Sequence, residues 1–76
     1  MNAQELRSIA YQLPFRPFRV HLKSGESFEI RRSLRTTVAE DRVLFGINED
    51  PETGIARRLR IVALSDVSNV ELLSPA

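Results

Sequence analysis

The chain has 76 residues, no cysteine, one histidine and a formal net charge of +1 from eleven basic and ten acidic side chains. No disulfide framework or thiolate zinc site can form, and the lone His21 cannot anchor a metal without carboxylates gathered around it. Near-neutral net charge argues neither for nor against a polyanionic partner.

The first segment reads as a helix over residues 2–13. Asn2 is a suitable N-cap and Glu5 stands three residues later, as a capping box requires. Leu6, Ile9, Ala10 and Leu13 then fall on one apolar stripe at helical spacing. Pro14 disfavours helical geometry at the residue before it, which sets the expected end. Residues 14–17, with two prolines, form an extended strap that carries the chain to Phe18.

From Phe18 the period changes to two. Phe18, Val20 and Leu22 alternate with Arg19, His21 and Lys23, and the alternation resumes at Phe28 and Ile30. A two-residue loop at 24–25 would put Val20 opposite Glu29 and mix the two faces. A three-residue loop, Lys23-Ser24-Gly25, instead places glycine at the left-handed bulge position. Phe18 is then opposite Ile30, Arg19 opposite Glu29 and Val20 opposite Phe28.

Arg31, Arg32 and Arg35 come next, in a connection around Ser33. Thr36 to Ala39 is short and β-branched, so it reads as a strand. Glu40-Asp41 turns into Arg42–Ile47, apolar on both faces and expected to be covered on both, with Gly46 at a bend. Residues 48–54 carry loop signals. Arg57–Ala63 forms a strand, Leu64-Ser65-Asp66 a single helical or 3₁₀ turn, and Val67–Leu73 the last strand.

One helix leading into short, bent strands indicates a single α+β domain over residues 1–76. The expected fold is an N-terminal helix on a five-stranded antiparallel SH3-like barrel spanning residues 18–73. The order of elements resembles the Sm-like (LSm, Hfq-type) fold. The stretch Leu59-Arg60-Ile61-Val62-Ala63-Leu64-Ser65-Asp66-Val67-Ser68-Asn69-Val70 is similar to that family's closing strand, 3₁₀ turn and strand. Residues Arg16 to Leu22 with Ser24-Gly25 also resemble a group of short bacterial proteins with no assigned function. The Sm resemblance implies that the last two strands join subunits into a homo-oligomer. It does not extend to that family's RNA site. Glu29 to Val38 contains neither the usual glycine nor the Asp/Asn pair, and the last turn offers Asp66 where a Gly, Lys or His is usual.

Ten of the eleven cations are arginine, and residues 1–38 carry a balance of +4 against −3 for residues 39–76. Arg31, Arg32, Arg35, Arg57, Arg58 and Arg60 are the candidates for a face that contacts a nucleic-acid backbone. No aromatic residue alternates with them, and the competing reading pairs them with Glu29, Glu40 and Asp41 in solvent. Asn48, Asp50 and Glu52 are spaced like the opening ligands of a calcium loop. The sixth position is Thr53 rather than glycine, however, and the twelfth is Leu59 rather than glutamate. His21, Ser24, Ser27 and Asp66 form no triad by spacing, and no glycine-rich phosphate loop is present. The chain is therefore expected to be non-enzymatic, with no metal and no cofactor.

An apolar excess on the terminal strands needs cover, either from another copy of the chain or from the N-terminal helix or the strap at residues 14–18. If Ile61 faces the core, Val62 faces out, as Leu73 does if Val70 and Leu72 point in; Val62 and Leu73 are the expected interface residues. A chain this short has a marginal core, which favours self-association. Residues 1–8 lack a basic segment before an apolar run, and no apolar run approaches the length that spans a bilayer. A cytoplasmic protein with no membrane partner is expected. The leading expectation is a protein-interaction or assembly module that self-associates through its terminal strands; the alternative is an Sm-like RNA-binding protein using the arginine face.

Overall fold

A computed structural model of the chain describes residues 1–73. Helix α1 spans Ala3–Ala10, and the Asn2 side chain caps it by accepting the Glu5 N–H at 2.8 Å. Leu6 and Ala10 are fully buried and Ile9 packs against the same core. The helix ends three residues before the expected boundary. Tyr11 leaves helical geometry while its N–H still bonds to the Arg7 carbonyl, so Leu13 projects into solvent at 91% exposure rather than completing the stripe. Turning early lets the strap return Phe15 to the core, where its ring meets that of Phe18 edge-on at 6.0 Å.

The remaining chain forms six strands: β1 (Phe18–Leu22), β2 (Ser27–Ile30), β3 (Thr36–Val38), β4 (Arg42–Glu49), β5 (Ala56–Ala63) and β6 (Val67–Leu72). They make two three-stranded antiparallel sheets, β2-β1-β6 and β3-β4-β5. The architecture is α+β, but with six strands in two sheets instead of five in a closed barrel. Two 3₁₀ turns account for the difference. Ser33–Arg35 interrupts the chain between β2 and β3, and Leu64–Asp66 carries it from β5 in one sheet to β6 in the other.

The β1–β2 register is the one required by the three-residue loop: Phe18 opposite Ile30, Arg19 opposite Glu29, Val20 opposite Phe28. Gly25 closes that loop at φ +97°, a conformation that favours glycine. The buried core joins both sheets and the helix through Leu6, Phe18, Val20, Ile30, Val43 and Phe45, with Phe28 edge-on to Phe45 at 4.9 Å. Gly46 serves close packing. A Cβ there would lie 3.0 Å from Ala56 Cβ and 3.1 Å from Arg35 Cδ. Among the described residues, no helix is long and apolar enough to cross a membrane.

Candidate functional site

Pairing with β4 decides where each β5 side chain goes. Val62 is opposite Val43, Arg60 opposite Phe45 and Arg58 opposite Ile47, so these three share the face that carries the core. Leu59 and Ile61 lie on the other face, 67% and 68% exposed. This corrects the sequence expectation for Val62, which is 5% exposed and belongs to the core; its neighbour Ile61 takes the outer position. Leu73 is half-buried, and its N–H extends the β6–β1 pairing by bonding to the Pro17 carbonyl at 2.9 Å. Val70 and Leu72 are opposite Val20 and Phe18; Val70 packs against the core, while Leu72 is exposed at its end of the sheet.

Beyond Val62 the inner face of β5 is no longer apolar. Arg58 and Arg60 emerge into a groove of about 610 Å³, which Arg31 and Arg35 also line. Phe28 and Ile47 supply its apolar lining. Four of the six candidate arginines thus meet at one place, brought there by β2, the Ser33–Arg35 turn and β5. Arg32 and Arg57 pair instead with Glu49 and Asp50, at the neighbouring β4–β5 connection.

Most of these cations have carboxylate partners, drawn from a set that spacing alone did not identify. Arg60 forks onto Glu26 with two contacts of 3.0 and 3.3 Å, linking the β1–β2 hairpin to β5 and thereby one sheet to the other. Arg31 bonds to Glu29 at 2.6 Å, and Arg19 reaches the other oxygen of the same carboxylate. Arg32 and Arg35 both converge on one oxygen of Glu49, Arg35 at 3.1 Å. Arg57 faces Asp50 at 3.3 Å. Of the anticipated partners only Glu29 serves; Asp41 pairs with its neighbour Arg42 instead. Hydrogen bonding from Arg60, reinforced by its charge, holds the Glu26 carboxyl below its ordinary range, and hydrogen bonds from Arg19 and Arg31 do the same to Glu29. Arg58 makes no salt bridge among the described residues.

The remaining sequence candidates have local structural uses. Asp50 accepts the Glu52 N–H at 2.8 Å and faces Arg57, which together lower its pKa. Gly54, at φ +73°, closes that turn onto the Asp50 carbonyl. His21 sits on the outer face of β1 with Nε2 3.1 Å from Glu71, while Ser24 accepts the N–H of Glu26. A second groove of about 710 Å³ lies between α1 and β3. Beside it the Tyr11 hydroxyl accepts the Val38 N–H at 3.2 Å and so satisfies a backbone donor of the edge strand β3.

Strand β5 thus presents two surfaces: an outer one that exposes Leu59 and Ile61, and an inner one where Arg58 and Arg60 join Arg31, Arg35, Glu26, Glu29 and Glu49 around the groove. The sequence signal for this division is weak, because each β5 face mixes arginine with aliphatic residues; β4 resolves it. Comparison with known protein families, curated proteins and solved structures found no match to this chain.

Proposed function

We propose that the chain is a cytoplasmic, non-enzymatic assembly module that self-associates through its terminal strands β5 and β6. The observation that carries this reading is the outer face of β5. Strand β5 is eight residues long and lies at the edge of its sheet, with Leu59 and Ile61 turned to solvent and Ile55 exposed just before it. An unpaired edge is a template for another chain, and the exposed Leu59 and Ile61 add apolar surface for a partner to cover. Strand β6 provides a second open edge, in the other sheet.

The same two sheets are compatible with an opened barrel. If β2 and β3 are taken as one bent strand interrupted at Ser33–Arg35, the strand order becomes β6-β1-(β2/β3)-β4-β5. That is five strands in the SH3-like order of the Sm-like proteins, with the 3₁₀ turn at Leu64–Asp66 between the last two. Strand order and turn position support the resemblance.

Sedimentation velocity across micromolar to millimolar concentration tests the assembly. The wild-type chain is expected to sediment above the monomer mass. Ile61→Lys should reduce it to a monomer with its β circular dichroism intact. A wild-type chain that stays monomeric throughout this range defeats the proposal.

A further inference from the structure

We propose that the groove between β2 and the inner face of β5 binds a small phosphomonoester. Arg58 and Arg35 would hold its dianionic phosphate, with Phe28 and Ile47 against its organic body. This site is independent of the outward face of β5 and of any self-association.

The first support is the charge around the groove. Glu26 is taken bidentately by Arg60, and Glu29 by Arg31 and Arg19. Arg35 shares one oxygen of Glu49 with Arg32, which lies outside the groove. Arg58 stands on the same strand face as Arg60 without a salt bridge of its own among the described residues. Among the residues that line the groove, Arg31, Arg35, Arg58 and Arg60 stand against Glu26, Glu29 and Glu49, a surplus of one guanidinium charge that falls on Arg58. A phosphomonoester carries roughly −1.5 to −2 at neutral pH, and Arg58 offers it a guanidinium that makes no salt bridge among the described residues.

The second support is geometric. Arg35 is only 19% exposed, and its Nε is buried without a hydrogen-bond partner. The guanidinium fork suits the oxygens of a phosphate, which could use such a donor. A volume of about 610 Å³ accommodates a ligand of nucleotide size or smaller, and Phe28 and Ile47 give it an apolar wall. A polyanion is a poorer match. It needs a continuous strip of available cations, whereas Arg31, Arg35, Arg57 and Arg60 all have carboxylate partners and Arg58 alone of this set makes no salt bridge among the described residues.

The test is an amide and arginine Nε–H NMR titration of the full chain at low salt. The probes are phenyl phosphate, inorganic phosphate and a single-stranded oligonucleotide. Saturable shifts centred on Phe28, Gly46, Ile47 and the Arg35 Nε–H are expected, with phenyl phosphate binding tighter than inorganic phosphate. Arg58→Gln should weaken phenyl phosphate by about tenfold, the loss of one charge-assisted contact, while Arg42→Gln outside the groove should leave it unchanged. Because Arg35→Gln risks the packing over Gly46, the companion variant is Glu26→Gln, which releases Arg60 and should tighten binding. Three results would each overturn the proposal: no saturable shift at low salt, equal weakening by Arg42→Gln and Arg58→Gln, or binding of the oligonucleotide alone.

Discussion

The two sheets use the same alternating pattern to opposite effect. In β2-β1-β6 the inner face is apolar, with Phe18, Val20 and Ile30. Its outer face is a polar ladder in which Arg31, Glu29, Arg19, Glu71 and His21 link three strands in sequence. In β3-β4-β5 the inner face begins in the same way, with Val43, Phe45 and Val62, but on β5 it ends in Arg60 and Arg58. The outer face there presents Leu59 and Ile61. The first sheet is built for solvent on one side and core on the other. The second departs from that division at its free edge, where each face of β5 mixes arginine with aliphatic residues: Arg57, Leu59 and Ile61 outside, Arg58, Arg60 and Val62 inside. The difference is why both proposals, self-association and anion binding, are placed on β5.

Substitutions at adjacent positions of β5 provide the sharpest way to break this comparison. Val62→Asp should unfold the domain outright by placing a charge in the core. Ile61→Asp, one residue away, should leave the domain folded, its thermal transition lowered only by the loss of association. If these two outcomes exchange, the inner and outer faces are misassigned. Phe45→Ala, at the centre of the shared core, should cost about 3–5 kcal/mol in urea denaturation. A much smaller loss would mean the two sheets do not share one core.

Gly46→Ala tests why the second sheet tolerates a glycine in mid-strand. The contacts at 3.0 and 3.1 Å should make the added methyl cost about 1–3 kcal/mol, and a neutral result would show that Arg35 yields freely. Thr36→Val acts in the other direction. The Thr36 hydroxyl is buried without a partner at the start of β3, so an isosteric apolar side chain should stabilise by up to about 1 kcal/mol.

The smallest expected effect belongs to the ion pairs, which are exposed. Glu26 and Glu29 have depressed folded-state pKa values through their arginine partners. Their contribution is complete above the unfolded carboxylate pKa of about 4.3 and fades as pH falls through the lower folded values. Denaturation midpoints should therefore decline on acidification, and Glu26→Gln should flatten that decline. A Glu26→Gln profile that parallels the wild type would show that the fork between the two sheets contributes nothing measurable.

Much of the first sheet was legible from local chemistry. The cap at Asn2, the loop at Gly25, the facing of Arg19 and Glu29 and the 3₁₀ turn at Leu64–Asp66 all depend on residues close in sequence. The end of α1 was not, because whether Leu13 joins the stripe depends on the strap's need to return Phe15 to the core. The facing of β5 was not legible either. Arg57, Leu59 and Ile61 on one side and Arg58, Arg60 and Val62 on the other have nearly the same composition, so periodicity gives no direction. Of the carboxylate partners Glu29 was legible beside Arg31, but Glu26 was not, because it and Arg60 are 34 residues apart and meet only in the folded chain.

By itself, then, the sequence determined the element types, their order, the first hairpin's register and a chemistry without thiols, since capping, turn geometry and strand alternation act over a few residues. Only the tertiary structure decided which face of β5 meets the core, that the strands divide into two sheets, and that four arginines surround one groove. Those outcomes depend on packing between segments far apart in the chain, where Val43 and Phe45 select Val62 and Arg60 as their partners.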